Sequence, residues 1–347
     1  MLKIEIQRVQ QQWIAEAINE GISMWNPKFN VEDDGDRISN LPESVLCHIL
    51  SLLQAKDAVR TCVLSKAWEY KWIICLYNLK FDDSLSYTNQ QTKKKLFANF
   101  VDRTLAHCTM SMAKEFELLC KLSSYDPSRV KLWISALLLH NNFERLHVSY
   151  REHGMRKLEL PCYFHTCDSL TEVRLCRFNL KFPPIVCLPK LRILHLRKIG
   201  FLNRNLSSSL SQLVLSFPVL ESFHLEDYKG LDKVKTLKID AHLLANFLML
   251  SNHCSTQIRT NGVAKLKKFK CSGLLFHKFV WSSASPSGAV NISIKHTTQD
   301  NILVLRKFIT FPTFRLLQKL SASVTILELP AHVVEVNEQT SLFYSCW

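Results

Sequence analysis

The sequence predicts an α/β chain in which a short three-helix module precedes an irregular solenoid of stacked strand-and-return units. Three observations carry that reading. Apolar residues fall at helical spacing between residues 36 and 83. From residue 143 onward a short template, apolar-x-x-apolar-x-apolar, recurs. With 47% apolar and 21% charged residues over 347 positions, the chain can bury one large core or two ordinary ones.

Residues 1–35 read as a leader and linker, closing on the acidic run Glu32 to Asp34. They hold no apolar core of the secretory kind. The densest apolar run, Leu132 to Leu139, is far shorter than the ~20 residues of a membrane span. The expectation is a chain without membrane attachment, located in the cytoplasm or nucleus.

Residues 36–83 predict three short helices. Pro42 suits a first helical turn, where its missing N–H costs nothing. Leu46, Ile49, Leu50 and Leu53 follow at helical spacing. Asp57 is a cap for a second helix with Ala58, Val59, Cys62 and Val63. Ser65 can cap a third, with Trp68 and Trp72 on one face. A unit this small buries little surface, and its apolar stripe and two tryptophans predict an interface.

The run from Asp36 to Leu53 (DRISNLPESVLCHILSLL), then Lys56 to Val59, then Val63 to Trp68, then Trp72, resembles a plant-type F-box. The match is to the F-box/leucine-rich-repeat class whose members often end in an FBD domain. Three positions depart from the family pattern. Gln54 and Ala55 stand where Pro-Thr is usual, Ala67 where Arg is usual, and Lys71 where Leu is usual.

Residues 84–142 read as a helical cap and connection. Leu96, Phe97, Phe100, Val101 and Leu105 predict a helix, and Phe116 to Leu122 a strand. Pro127 then opens a helix capped by Asp126, with Val130, Trp133, Ile134, Leu137 and Leu138 on its apolar stripe.

Residues 143–296 read as the leucine-rich-repeat solenoid. The template begins at Phe143, Met155, Leu170, Leu191, Leu220, Val234, Leu266 and Ala289. Each copy predicts one strand with its apolar side chains turned inward, buried only by stacking. The pattern also fits a sandwich of alternating strands. Proline before the strand (Pro189, Pro218) and spacings too short for ordinary parallel crossovers favour the repeat. Residues 297–347 read as a degraded repeat and tail in which an FBD end is not evident. Val324 to Leu329 is one more strand candidate.

The net charge of +14 is uneven, because residues 1–36 are acidic and the remainder is strongly basic. Such a body suits acidic partners. Lys93 to Lys95 and Lys265, Lys267 and Lys268 are short for nucleic-acid patches, so nucleic acid is not the expected partner. Neither a phosphate-cradling glycine loop nor a nucleophile elbow nor a zincin motif occurs. The twelve cysteines include no C-x-x-C pair and read as free, mostly buried thiols in a reducing compartment. Cys162 and Cys167 enclose His165, but no second ligand pair follows. No catalytic residue, metal or cofactor is expected.

The resemblance implies a substrate-recognition subunit of a Skp–cullin–F-box (SCF-type) ubiquitin ligase, not itself an enzyme. It would dock on a Skp-type adaptor, and through it on cullin and RING subunits. Leu41, Pro42, Leu46, Ile49, Leu50, Val63 and Trp68 carry over as the adaptor-docking residues. A target protein would meet outward residues beside the repeat strands, with Glu172, Arg174, Arg192, His195, Glu221 and His224 as candidates. Two alternatives remain: a non-ligase or decayed F-box-like interaction protein, and a basic nucleic-acid binder.

Overall fold

The computed structural model describes residues 41–53, 55–64, 68, 71–75, 78–83, 90–107, 113–120, 125–138, 143–150, 158–202, 210–250, 256–261, 264–272, 279–281, 288–295 and 324–328. The chain divides into two compact units, Met1–Glu117 and Leu118–Trp347.

The first unit holds α1 (Glu43–Leu52), α2 (Ala55–Arg60) running into a 3-10 turn (Thr61–Val63), α3 (Lys71–Cys75), β1 (Asn78–Asp82) and α4 (Gln90–His107). Pro42 stands one residue before α1, and its carbonyl accepts the Val45 and Leu46 N–H groups at 2.9 and 3.1 Å. Leu46, Leu50, Ala58, Val59, Trp68 and Trp72 are buried. Asp57 is the third residue of α2, not its cap, and pairs with Arg60 at 3.3 Å. Ser65 lies outside the described residues. The helix expected there starts only at Lys71, and Trp68 sits in the turn before it, its carbonyl accepting the Lys71 N–H. Phe81 of β1 packs edge-on to Phe100 and tilted on Phe116.

One expectation fails in this unit. Cys47 of α1 and Cys75 of α3 are joined by a disulfide, not free. They lie 28 residues apart with no motif between them, and only the packing of α1 on α3 brings them together. Among the other described cysteines, Cys62, Cys120, Cys167 and Cys271 are buried, Cys176 is half-buried and Cys187 is exposed.

β2 (Glu115–Cys120) runs across the boundary, and the second unit continues with α5 (Pro127–Leu138). The Asp126 carboxylate accepts the Ser128 N–H at 3.1 Å, and all five stripe residues of α5 are buried. The fold is mixed α/β, and every strand pair with a described register in this unit is parallel. The large sheet runs β3 (Arg145–Tyr150), β5 (Glu172–Cys176), β8 (Ile193–Arg197), β11 (Ser222–Glu226), β13 (Asn246–Leu250), β15 (Lys268–Ser272), β17 (Val290–Lys295), β18 (Val324–Glu328). A second sheet runs β16 (Phe279–Trp281), β14 (Gln257–Thr260), β12 (Val234–Asp240), β10 (Leu210–Ser216), β7 (Ile185–Cys187). A small third sheet joins β4 (Leu158–Glu159), β6 (Phe178–Leu180) and β9 (Gly200–Phe201).

The chain visits these sheets in rotation. From β5 it passes through β6 and β7 before returning at β8, and from β8 through β9 and β10 before returning at β11. Among the described residues, the returns between these parallel neighbours hold no α-helix. Two backbone devices recur at these returns. A single carbonyl accepts two successive N–H groups as the next strand begins: Glu144 takes Thr171 and Glu172, Thr171 takes Arg192 and Ile193, and Arg192 takes Glu221 and Ser222. Glu221 and Ala245 repeat the pattern. At the other end, Arg177, Lys198 and Asp227 each follow a large-sheet strand in the left-handed region. L-residues adopt it at a cost of roughly 1–2 kcal/mol, and here it lets each N–H reach the neighbouring strand.

The core lies between the two larger sheets. Leu194, Phe223, Phe247, Phe269 and Ile292 share one register row, and Leu196, Leu225, Met249 and Cys271 share the next. Phe223, Phe247 and Phe269 stack at 5.4 and 5.2 Å, and Phe279 of the second sheet meets Phe247 and Phe269 edge-on at 5.0 and 5.1 Å.

Two template copies fall elsewhere than expected. The Val234 copy is β12 of the second sheet, and the Leu158 position of the Met155 copy lies in β4 of the third, with Leu160 just beyond it. The pattern says only that alternate residues are buried, and a strand facing the core from either side writes it equally well. Leu244-x-x-Phe247-x-Met249 fits the template too, and its Phe247 and Met249 lie in β13 of the large sheet.

Candidate functional site

Two surfaces, one in each unit, present side chains that the fold does not use up. In the first unit α1 is apolar on two sides. Leu46 and Leu50 face inward and are fully buried. Val45, Ile49 and Leu52 form a second stripe at i, i+4 and i+7, and all three are exposed, Leu52 by 73%. Leu41 precedes this stripe, and Val63 and Leu64 at the end of the 3-10 turn are also exposed. A module this small cannot bury both stripes of α1, so one of them remains as an apolar surface.

The seven expected docking residues thus divide. Leu41, Pro42, Ile49 and Val63 are exposed and available to a partner. Leu46, Leu50 and Trp68 are buried. Val45, Leu52 and Leu64, which are not among the seven, are exposed as well. Plotting α1 on a helical wheel, with its two apolar stripes, would have found Val45 and Leu52. Lys71, at the start of α3, is half-buried.

In the second unit the large sheet turns one face away from the core, and its side chains form register rows. His147, Arg174, His195, His224, Leu248, Lys270 and Ser293 make up one row, all half-buried. Successive paired positions lie between 21 and 29 residues apart in sequence. All six expected target residues lie on or beside this face, and they are linked. Arg192 donates twice to Glu221, at 2.7 and 3.1 Å. Arg174 donates to the Glu172 carboxylate and, at 2.9 Å, shares a hydrogen bond with His195 Nδ1.

That bond fixes the state of His195. An arginine can only donate, so Nδ1 must carry the lone pair and Nε2 the proton. Nε2 then donates to Ser222 Oγ at 3.2 Å. Burial, then the neighbouring His224 and Arg174 charges, lower the His195 pKa to about 4, against a smaller opposing pull from Glu172. Burial and Arg174 lower His224 as well, opposed by Glu226. The centre of the face is therefore neutral near pH 7, and its arginines are occupied by acids.

Among the described residues no cluster of three or more His, Cys, Asp or Glu could hold a metal ion. Among them also, no helix is long and apolar enough to cross a membrane.

Residues 38–75, the segment that displays the exposed stripe of α1, match the family model of the F-box domain. The chain carries an F-box. It is also similar to plant F-box/leucine-rich-repeat proteins. It is 33% identical over 187 residues to an FBD-associated F-box protein of Arabidopsis thaliana, covering 54% of this chain and 44% of that one. It is 30% identical over 219 residues to F-box/LRR-repeat protein 13 of the same plant, covering 62% of this chain and 46% of that one. An F-box/FBD/LRR-repeat protein of Arabidopsis matches at 28% identity over 91% of this chain and 69% of its own length. The chain spans about half the length of the curated relatives it matches first, 44% of one and 57% of another.

The F-box match begins at residue 38 and ends at Cys75. It therefore takes in both ends of the Cys47–Cys75 disulfide and all seven residues expected to dock the adaptor.

Proposed function

We propose that this chain is the target-recognition subunit of a Skp–cullin–F-box ubiquitin ligase. The F-box docks on a Skp-type adaptor through Leu41, Pro42, Val45, Ile49, Leu52, Val63 and Leu64. The adaptor links it to the cullin and RING subunits. The rotating parallel strands are the turns of an irregular leucine-rich-repeat solenoid, and the outward face of the large sheet holds a target protein. Catalysis is then a matter of proximity. Holding the target's lysines beside a charged conjugating enzyme converts a bimolecular encounter into one with a high effective concentration. The receptor contributes no acid, base or nucleophile of its own.

The observation that carries this reading is the coincidence of the F-box match with an exposed apolar stripe on α1. Such a stripe on a small module is the form a protein–protein anchor takes. The test is co-expression with a plant Skp-type adaptor and purification through a tag on the adaptor. Wild type should co-elute near one-to-one, while Ile49→Asp/Leu52→Asp should fold and fail to co-elute. A folded wild type that does not co-elute overturns the ligase reading and leaves an orphan interaction protein.

A further inference from the structure

We infer that the β13–β15–β17 end of the outward sheet face binds an acidic peptide segment, one that carries an apolar residue between its carboxylates. The inference rests on the target-receptor reading and names the chemistry of the target. The two halves of the face differ in how their charges are answered. Toward β5, β8 and β11, each acid has an arginine: Glu172 has Arg174, Glu221 has Arg192, and Glu226 has Arg197 at 3.4 Å.

Toward β13, β15 and β17 the outward residues whose side chains are described are Asn246, Leu248, Leu250, Lys268, Lys270, Asn291 and Ser293. Lys268 stands in register between Asn246 and Asn291, and Lys270 between Leu248 and Ser293. Along these rows, among the described residues, the carboxylate on that side is Glu328 of β18. It stands opposite Ser293 and so two strands away from Lys270. Exposed Lys265 and Lys267 lead into the same strand. The Ser293 hydroxyl is buried and makes no hydrogen bond. This end of the face therefore presents cations, where the other end presents closed pairs.

The geometry suits an extended peptide. Lys268 and Lys270 lie two residues apart on a strand, about 6.8 Å along its axis. Side chains on one face of an extended ligand repeat at the same interval, so two alternate carboxylates can meet two lysines. Half-exposed Leu248 and Leu250 on β13, one strand over at about 4.8 Å, supply the apolar contact beside them. Exposed ion pairs are individually weak, and a segment that also buries an apolar side chain gains what the charges alone do not give. No Phe, Tyr or Trp stands among these outward residues, so the surface offers nucleic acid no aromatic platform for stacked bases.

The test uses the full chain, purified both alone and with a co-expressed Skp-type adaptor. The probe is a fluorescein-labelled peptide of alternating aspartate and leucine, read by anisotropy, with an alternating serine–leucine peptide and oligo-dT as competitors. Wild type should bind the acidic peptide, and neither competitor should displace it. Lys268→Glu/Lys270→Glu should weaken binding by about tenfold or more. Lys268→Gln/Lys270→Gln should show a smaller loss, and Leu248→Ser should weaken binding with charge unchanged. Lys235→Glu/Lys238→Glu, the same charge change on β12 of the other sheet, should leave binding within about twofold. The proposal is overturned if the β12 variant loses as much, if oligo-dT displaces the peptide, or if wild type holds the adaptor but not the peptide. Adaptor co-elution is scored separately, so peptide binding without adaptor refutes the ligase reading alone.

Discussion

The imidazole rings of His195 and His224 stack face to face, 4.0 Å between centroids and within 2° of parallel, on adjacent strands of the large sheet. Arg174 closes one side of the pair with a hydrogen bond to His195 Nδ1. Glu172, Glu226 and His147 are the other titratable neighbours that act on it. Protonating His195 would break the arginine bond and place a cation between an arginine and a second histidine. The folded His195 pKa of about 4 lies below its ordinary 6.5. The unfolded chain therefore takes up a proton that the folded chain refuses as pH falls between those values. Stability should decline from about pH 6.5 to about 4 and then level off on this account. His195→Gln keeps an acceptor for Arg174 and removes the titration, so its melting temperature should fall less across that interval. Equal slopes for wild type and variant would refute the assignment.

Phe247 touches Phe223 and Phe269 by stacking and Phe279 by its edge, bridging the two sheets. Phe247→Ala should cost about 3–5 kcal/mol in urea unfolding. Phe223→Ala, with a stack to one of these rings, should cost less. A cost for Phe247 no greater than for Phe223 would show that the sheets are not joined at this ring.

Gly230 has φ +84°, and an added Cβ would overlap the Phe201 carbonyl oxygen, a backbone atom that cannot swing aside. Gly288 has open space around it. Gly230→Ala should destabilise by about 1–3 kcal/mol or more. Gly288→Ala should be neutral or stabilise by a few tenths to about 1 kcal/mol. Thermal melting of both variants checks the pair, and similar shifts would contradict it.

Leu50 and Leu52 separate folding from docking on one helix. Leu50 is fully buried and Leu52 is 73% exposed. Leu50→Ala should lower stability by about 2–5 kcal/mol. Leu52→Ala should stay within about 0.5 kcal/mol of wild type while weakening adaptor capture. Measuring both quantities on both variants distinguishes the roles, and a destabilised Leu52→Ala would place that residue in the core.

Much of this was legible in the sequence. The α5 stripe from Val130 to Leu138, its Asp126 cap and most of the strand template follow from local periodicity, and each appears where it was read. What periodicity could not supply was which side of the core a strand faces, hence the placement of β12 in the second sheet. Nor could it rank two apolar stripes on α1, because both repeat at helical spacing and only the size of the module decides between them. The Cys47–Cys75 bond depends on tertiary packing and leaves no local mark. The left-handed residues Arg177, Lys198 and Asp227 were equally hidden, since none is the glycine that signals such a turn. At the outward face, sequence singled out Arg174, His195 and His224 one by one, and only the parallel register made them neighbours.

The doubly accepting carbonyls at Glu144, Thr171, Arg192, Glu221 and Ala245 fix where β5, β8, β11, β13 and β15 begin, each by reference to the strand before it. The length of chain spent between strands plays no part in that alignment, which is why circuits of 21 and of 29 residues sit side by side in one register. Insertions and deletions can accumulate in the return segments without shifting a single row of the outward face. A lineage built this way can diverge freely around its rim while each outward position mutates independently, so new recognition surfaces can evolve by point substitution on an unchanged grid.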